Sequence, residues 1–152
     1  MLPLLIILFS IIVEAGLALN AWNRVNTASR DATRFALDAG RDDEINQLVL
    51  FKLRGLDTSG VRIYVVRGTT DANGNIGTWD CAQIYPPPSG ACTTMKLTQA
   101  TVRNRLSTPN DLDENMPFTA VEVDYDYSPL LTTLLTSGAI LPMTSYAIVQ
   151  QY

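Results

Sequence analysis

The residue types that carry most enzyme chemistry are scarce in this chain of 152 residues, which contains no histidine. Without histidine the chain has no Ser-His-Asp or Cys-His catalytic group and no histidine-ligated metal site. Glu122, Asp124 and Asp126 form a carboxylate row on one face of a predicted strand. Paired carboxylates can hydrolyse glycosides, but a solvated strand face explains this spacing without catalysis. We therefore predict no enzymatic activity, no catalytic residue and no cofactor.

A second group of oxygen-bearing side chains has the spacing of a calcium loop. Asp71, Asn73 and Asn75 match the first three ligand positions of such a loop. The sixth position is Ile76, where the EF-hand requires glycine, and the twelfth is Ala82 instead of glutamate. A hairpin turn around Asn73 accounts for the same residues. We therefore predict a turn and no metal site.

The two cysteines, Cys81 and Cys92, flank a loop rich in proline and glycine. A single pair without metal-ligand spacing indicates a disulfide in an exported protein, and the alternative is two free thiols in a cytosolic domain. Closing this loop would stabilise the folded chain by about 3 kcal/mol. Three hydroxyl side chains beside the loop are candidate O-glycosylation sites: Ser89, Thr93 and Thr94.

Charge is distributed unevenly along the chain. The net charge is −4, and residues 1–23 carry one charge, Glu14. As a helix, residues 1–22 would span about 33 Å, which matches the hydrocarbon core of a bilayer. A secretory signal peptide would have basic residues before the apolar run, so we expect the segment to be retained and Met1 to follow a removed leader or a truncation. The acidic balance argues against a nucleic-acid partner.

The apolar pattern continues beyond the length that a membrane requires. After Trp22, apolar residues recur at spacings of three and four, which is typical of an amphipathic helix. We expect one helix of about 38 residues, about 57 Å long, with Pro3 in its first turn and its end at about residue 39. The residues of this predicted stripe are Val25, Ala28, Ala32, Phe35, Ala36 and Ala39.

The rest of the chain predicts a mixed helix and strand body. We expect a second helix after Asp42 that ends near Gly55, and a short helix from Thr98 to Leu106. Strands are expected at 61–66, at 119–127 as a half-buried strand, and at 143–151. The predicted fold class is α+β, in which the second half of the long helix packs on a small antiparallel sheet.

Both ends of the chain resemble one known family. The opening LPLLIILFSIIVEAGLALNAWNRVNTASRDATRFAL resembles the N-terminal signature of TadE-like pilin proteins, an apolar run followed by Glu-x-Gly, an aromatic residue, and small and basic residues. The tail VEVDYDYSPLLTTLLTSGAILPMTSYAIVQQY is similar to the closing strands of that family around a Ser-Pro-Leu-Leu linker. Members of that family usually carry a glutamate a few residues before the Leu-Pro-Leu-Leu run, and this chain begins after that position, so we expect either different processing or a truncated start.

The resemblance implies a type IV pilin-like protein of a tight-adherence system. Residues 1–23 would be a membrane anchor before assembly and filament core after it, and residues 24–152 would be the pilin body. The implied partners are further copies of the chain in a helical filament, the membrane before assembly, a prepilin peptidase and the assembly machinery. The implied locations are the cytoplasmic membrane and then the cell surface.

Glu14 has a predicted role in such a filament, because a charge in the middle of an apolar helix costs about 2.5–3.5 kcal/mol at the centre of a bilayer and is seldom left unpaired. In parallel copies it would meet a neighbour's Met1 amine about 20 Å along the axis, or a neighbour's Arg24 about 15 Å away. Either pair would fix the axial stagger of the subunits. The alternative is a protonated or snorkelling glutamate in a lone anchor. The residues expected to pack between subunits are Leu4, Leu5, Leu8 and Ile12.

Three functions are compatible with the sequence. The first is a structural pilin, the second a minor pseudopilin that helps another pilin to assemble at the membrane, and the third an extracytoplasmic binding domain or enzyme on a single membrane anchor. The long amphipathic continuation favours the first two, since a simple anchor does not need it. The absence of histidine disfavours an enzyme. The sequence therefore favours the structural pilin.

Overall fold

The computed structural model of the chain describes residues 2–38, 40–71, 73, 75–87, 90–106, 116–129 and 140–150. One long helix is followed by a small body of shorter helices and four strands, one strand more than the sequence predicted. The elements in chain order are α1 (Leu2–Leu37), α2 (Asp42–Lys52), a 3-10 turn (Thr58–Gly60), β1 (Val61–Thr70), β2 (Ile76–Tyr85), α3 (Gln99–Leu106), β3 (Met116–Tyr127) and β4 (Leu141–Gln150).

The four strands form one antiparallel sheet in the order β2-β1-β3-β4. A hairpin joins β1 to β2, and in its turn Asp71 accepts hydrogen bonds from the backbone N–H groups of Asn73 at 3.0 Å and Asn75 at 2.7 Å. The predicted turn is therefore confirmed. The sequence did not predict β2, because neither face of this strand is consistently buried, and its residues therefore lack the alternation of apolar and polar side chains that marks a half-buried strand.

The second half of α1 packs on one face of the sheet, against β3 and β4. Its buried stripe consists of Ala21, Val25, Ala28, Ala32 and Ala36. Small side chains at this spacing let the helix backbone lie close to the strands. The prediction of Phe35 in the stripe is wrong, because Phe35 is 38% exposed and lies about 100° around the helix from Ala36. The predicted stripe residue Ala39 lies outside the described residues.

Two polar residues share this buried face of α1. The Ser29 hydroxyl lies 2.9 Å from the Ser145 hydroxyl of β4, and the Thr33 hydroxyl donates to the Ser29 carbonyl at 2.7 Å. Asn26 accepts a hydrogen bond from Ser145 at 3.2 Å. Because buried hydroxyls need partners, these contacts align the helix with the outer strand of the sheet.

The second helix, α2, runs back along α1 and completes the core on this side. Lys52, at its end, pairs with Asp31 of α1 at 2.7 Å, and Arg24 of α1 donates to the Arg54 carbonyl at 2.7 Å. Asp31 and Arg34 have the three-residue spacing of a local ion pair on a helix, but the structure pairs Asp31 with Lys52 of α2 instead. The helix ends at Lys52, earlier than predicted, and Gly55 adopts a φ of +91° just beyond it.

The opposite face of the sheet is covered by α3 and the segment that leads into it. The apolar residues of this second cluster are Val66, Leu97, Val102, Leu106, Phe118 and Ala120. As a result, β3 is central in the sheet and covered on both faces. The sequence described β3 as half-buried with a solvated face, and that part of the prediction is wrong.

Candidate functional site

The first half of α1 is apolar and exposed on all sides. Every large apolar side chain from Leu4 to Leu19 is exposed, by between 45% for Leu17 and 71% for Leu4. The helix is long and apolar enough to cross a membrane. We refer to residues 4–19 as the apolar segment. A helix that is apolar around its whole circumference requires lipid or protein around it. The four residues predicted to pack between subunits, Leu4, Leu5, Leu8 and Ile12, all lie on this segment.

The apolar segment joins the body within one turn of the helix. Ala18 is partly buried against the core, Ala21 is fully buried, and Trp22 is 40% exposed. Leu19, between them, is still exposed on the other side of the helix. The same continuous helix therefore presents apolar side chains to the surroundings in its first half and packs on the sheet in its second half.

Glu14 lies half-buried in the apolar segment, near the end of the sheet. Burial raises the pKa of the Tyr127 hydroxyl, and the carboxylate of Glu14 raises it further. Since Tyr127 is the last residue of β3, the Glu14 carboxylate lies within electrostatic range of the base of the body. Glu14 therefore lies within the apolar segment, four residues before Ala18, and still interacts electrostatically with the body.

The predicted partners of Glu14 are placed differently. Arg24 lies on α1 beside the body, where one nitrogen of its guanidinium donates to the Arg54 carbonyl of the same chain. A guanidinium has five N–H donors, so this bond leaves others for a neighbouring subunit. Met1 lies outside the described residues. The pairing of Glu14 between subunits stays a prediction.

A disulfide joins Cys81 to Cys92, with their Cα atoms 6.2 Å apart. It connects the edge strand β2 to the segment before α3, on the face of the sheet opposite α1. Thr93 and Thr94 are exposed nearby, and the Thr94 hydroxyl is hydrogen-bonded to the buried Tyr64. Ser89 lies outside the described residues. Glycosylation of the three hydroxyl residues stays a prediction.

Two members of the carboxylate row on β3, Glu122 and Asp124, are buried, and the third, Asp126, is partly exposed. Glu122 is fully buried and accepts hydrogen bonds from the backbone N–H groups of Lys96 at 2.8 Å and Leu97 at 2.5 Å. Asp124 is also buried and accepts from the Thr144 hydroxyl at 2.5 Å. The prediction of a solvated row is therefore wrong, because the segment before α3 covers this face. Glu122 ties that segment to the sheet, a role that alternation in one strand cannot reveal.

The burial of Glu122 gives the body a specific pH dependence. Burial raises the pKa of Glu122, and the charge of Asp124 raises it further. The hydrogen bonds from the backbone N–H groups of Lys96 and Leu97 lower it, but the net shift is upward. The folded chain therefore binds this proton at a higher pH than the unfolded chain. Below the pKa that Glu122 has in the unfolded chain, binding of this proton contributes its full stabilisation. That stabilisation is lost as the pH rises through the higher pKa that Glu122 has in the folded chain.

We therefore expect wild-type protein to gain stability over Glu122→Gln as the pH falls from neutral towards 4.5, the ordinary value for glutamate. Urea titrations of both proteins across this range measure the difference in unfolding free energy. The lowered pKa values of Asp57 and Asp71 affect both proteins alike and cancel in the difference. A difference that stays constant with pH would contradict the expectation.

Comparison with known proteins gives a family match for the N-terminal helix. The family described as TadE-like protein matches residues 1–34, which overlap the N-terminal resemblance noted in the sequence and cover nearly all of α1. No curated protein and no solved structure matches the chain. The resemblance to TadE-like proteins is thereby confirmed over the N-terminal helix. This family is a pilus-related structural one and not an enzyme family, which together with the apolar helix indicates a membrane-anchored, surface-associated component.

Proposed function

We propose that this chain is a structural pilin subunit, which polymerises through the apolar segment into an extracellular filament of the tight-adherence type. The observation that carries the proposal is the division of α1. Its first half is exposed and apolar on all sides, while its second half is packed into a folded body. A subunit of this shape can place its apolar segment in a shared core and its body outside.

The apolar segment requires shelter from water in both of its proposed environments. Full burial of one exposed aliphatic side chain is favourable by about 1.5–3 kcal/mol. In the membrane, lipid provides the shelter, and in the filament the same helices of neighbouring subunits replace the lipid. Because lipid tails are as apolar as these side chains, the transfer depends on close packing and on polar contacts such as the proposed pair of Glu14.

The proposed partners follow from this route. The chain is held in the cytoplasmic membrane before assembly, where a prepilin peptidase and the pilus assembly machinery act on it. It then binds further copies of itself along the filament. The match of α1 to a pilus-related family supports these partners. No nucleic-acid partner is proposed, because the net charge is −4.

The test is to purify sheared surface filaments, image them by negative-stain microscopy and identify their subunits by mass spectrometry. We expect this chain to be an abundant component of the filaments. Its absence from purified filaments, with the chain present in the membrane fraction, would overturn the structural pilin and indicate a minor pseudopilin. Its absence from both filaments and assembly complexes would favour the third function, an extracytoplasmic domain on a single membrane anchor.

Reduction of the Cys81–Cys92 disulfide is expected to loosen the body without breaking the filament. The bond lies on the face of the sheet opposite α1, away from the apolar segment. Its loss should lower the stability of the body by about 3 kcal/mol and leave the contacts between helices in place. Microscopy of filaments before and after mild reductant at neutral pH checks this. Filaments that fall apart under reduction alone would contradict it.

A further inference from the structure

The eleven cations of the body differ in their contacts. Five pair with carboxylates of the same chain: Arg41, Lys52, Arg62, Arg67 and Lys96. Arg30, Arg34 and Arg105 are exposed and form no ion pair or hydrogen bond with any described residue. All three line one groove between α1 and the edge strand β4. Among the described residues, three of the six cations without an ion pair therefore lie in this groove, and the other three, Arg24, Arg54 and Arg103, lie outside it.

This basic groove has a volume of about 540 Å³. On the side of α1, the groove is lined by four residues that are spaced four apart in the chain: Trp22, Asn26, Arg30 and Arg34. Its other walls are β4 and the end of α3, from which the Arg105 guanidinium lies 5.7 Å from the ring centre of Tyr146. Like charges four residues apart on a helix repel each other, so an anion in the groove would relieve the repulsion between Arg30 and Arg34.

The groove begins where the apolar segment ends. Trp22 is 40% exposed, and aromatic residues in such positions lie at the boundary between membrane and water. The Cα of Arg30 lies about 12 Å further along the axis, and helix side chains lean back towards the N-terminus. The Arg30 guanidinium therefore reaches towards the layer that contains phospholipid phosphates when the apolar segment spans a membrane.

We propose that the basic groove binds the headgroup of an anionic phospholipid of the phosphatidylglycerol type while the chain is in the membrane. This inference rests on the membrane stage of the proposed function. The planar guanidinium of arginine matches phosphate oxygens in pairs, and Arg30 and Arg34 provide two such groups on one wall. Headgroup binding would hold the body in one orientation against the membrane before assembly.

The test is native mass spectrometry of the full-length chain in neutral detergent, with equal amounts of phosphatidylglycerol and phosphatidylcholine. We expect the wild-type chain to retain phosphatidylglycerol preferentially. Each arginine near a membrane surface contributes about a fivefold preference for anionic lipid, so Arg30→Gln/Arg34→Gln should reduce the ratio of the two bound lipids by about 30-fold. Both residues are exposed, so this variant is expected to fold.

The matched control is Arg54→Gln/Arg103→Gln, which removes the same charge from exposed positions outside the groove. Equal losses in the two variants, or equal retention of both lipids by wild type, would overturn the proposal. Displacement of the lipid by an equal concentration of glycerol phosphate would show that the groove binds phosphate without a membrane, which also overturns it.

An acidic surface of a second copy is the rival occupant of the groove. If Arg30→Gln/Arg34→Gln reduces filament yield while the ratio of bound lipids is unchanged, that occupant is indicated and the lipid is excluded. The lipid assay does not involve filaments. A chain that forms filaments without selecting a lipid would therefore overturn this inference and leave the proposed function standing.

Discussion

Replacing Glu14 by alanine is expected to leave normal amounts of protein in the membrane but few or no filaments. An apolar helix without this charge inserts into a membrane more favourably. In the filament, the substitution would leave a neighbour's positive charge without its partner, which costs about 3–5 kcal/mol for a buried pair. Every subunit would repeat that loss, and apolar helices without a polar contact can slide to other registers. Immunoblots of membrane fractions and the yield of sheared filaments measure the two effects.

Three further variants test whether Glu14 acts by fixing the axial stagger of the subunits, which we call its register role. The alternatives are a general effect of polar side chains on α1 and the electrostatic interaction of Glu14 with its own body. Glu14→Gln keeps a hydrogen-bonding group without the charge and should give an intermediate yield. Asn20→Ala removes an exposed polar side chain from the same helix and should leave the yield unchanged. Tyr127→Phe tests the contact of Glu14 with its own body, and should also leave the yield unchanged. Wild-type yields from Glu14→Ala would refute the register role, and loss of filaments in Tyr127→Phe would reassign the effect to the body.

The second large effect is expected from Glu122→Ala. The substitution removes the acceptor of two backbone N–H groups in the segment that covers the outer face of β3. A buried donor without a partner costs about 1–3 kcal/mol, and loss of the buried carboxylate returns part of its desolvation cost. We expect a net loss of about 3 kcal/mol, a large share of the stability of a typical domain.

Urea unfolding of the full-length chain in detergent measures this loss. Trp79 is a suitable reporter, because it packs against Phe118 on the face that Glu122 holds closed, with ring centres 6.2 Å apart. Asp80→Ala is the matched control, since it removes a carboxylate from an exposed position of the edge strand β2 in the same sheet. The control should change stability by less than about 0.5 kcal/mol. Equal stabilities of Glu122→Ala and Asp80→Ala would show that Glu122 does not hold the segment.

Glu122 and Glu14 are expected to affect different properties of the protein. Glu122 is buried in the body and its proposed effect is on the stability of one subunit. Glu14 lies outside the packed core and its proposed effect is on the contacts between subunits. Filament yield and subunit stability should therefore respond separately to the two substitutions, which allows folding and assembly to be measured independently.

The sequence alone determined the features that depend on local pattern. The apolar run and the spacing of small residues after Trp22 predicted one continuous helix whose two halves have different surroundings. The Asp71 turn and the Cys81–Cys92 pair were also predicted, because turn residues and a single pair of cysteines carry their signals within short segments. The family resemblance was confirmed over residues 1–34 for the same reason.

The tertiary structure decided which surfaces are covered. Alternation along β3 separated its two faces correctly but could not show that the segment before α3 covers the face of Glu122. Likewise, the partner of Asp31 is Lys52 on α2, which no spacing within α1 indicates. The basic groove arises only because α1, α3 and β4 meet. Burial and pairing depend on contacts between residues far apart in the chain, and a local pattern does not contain them.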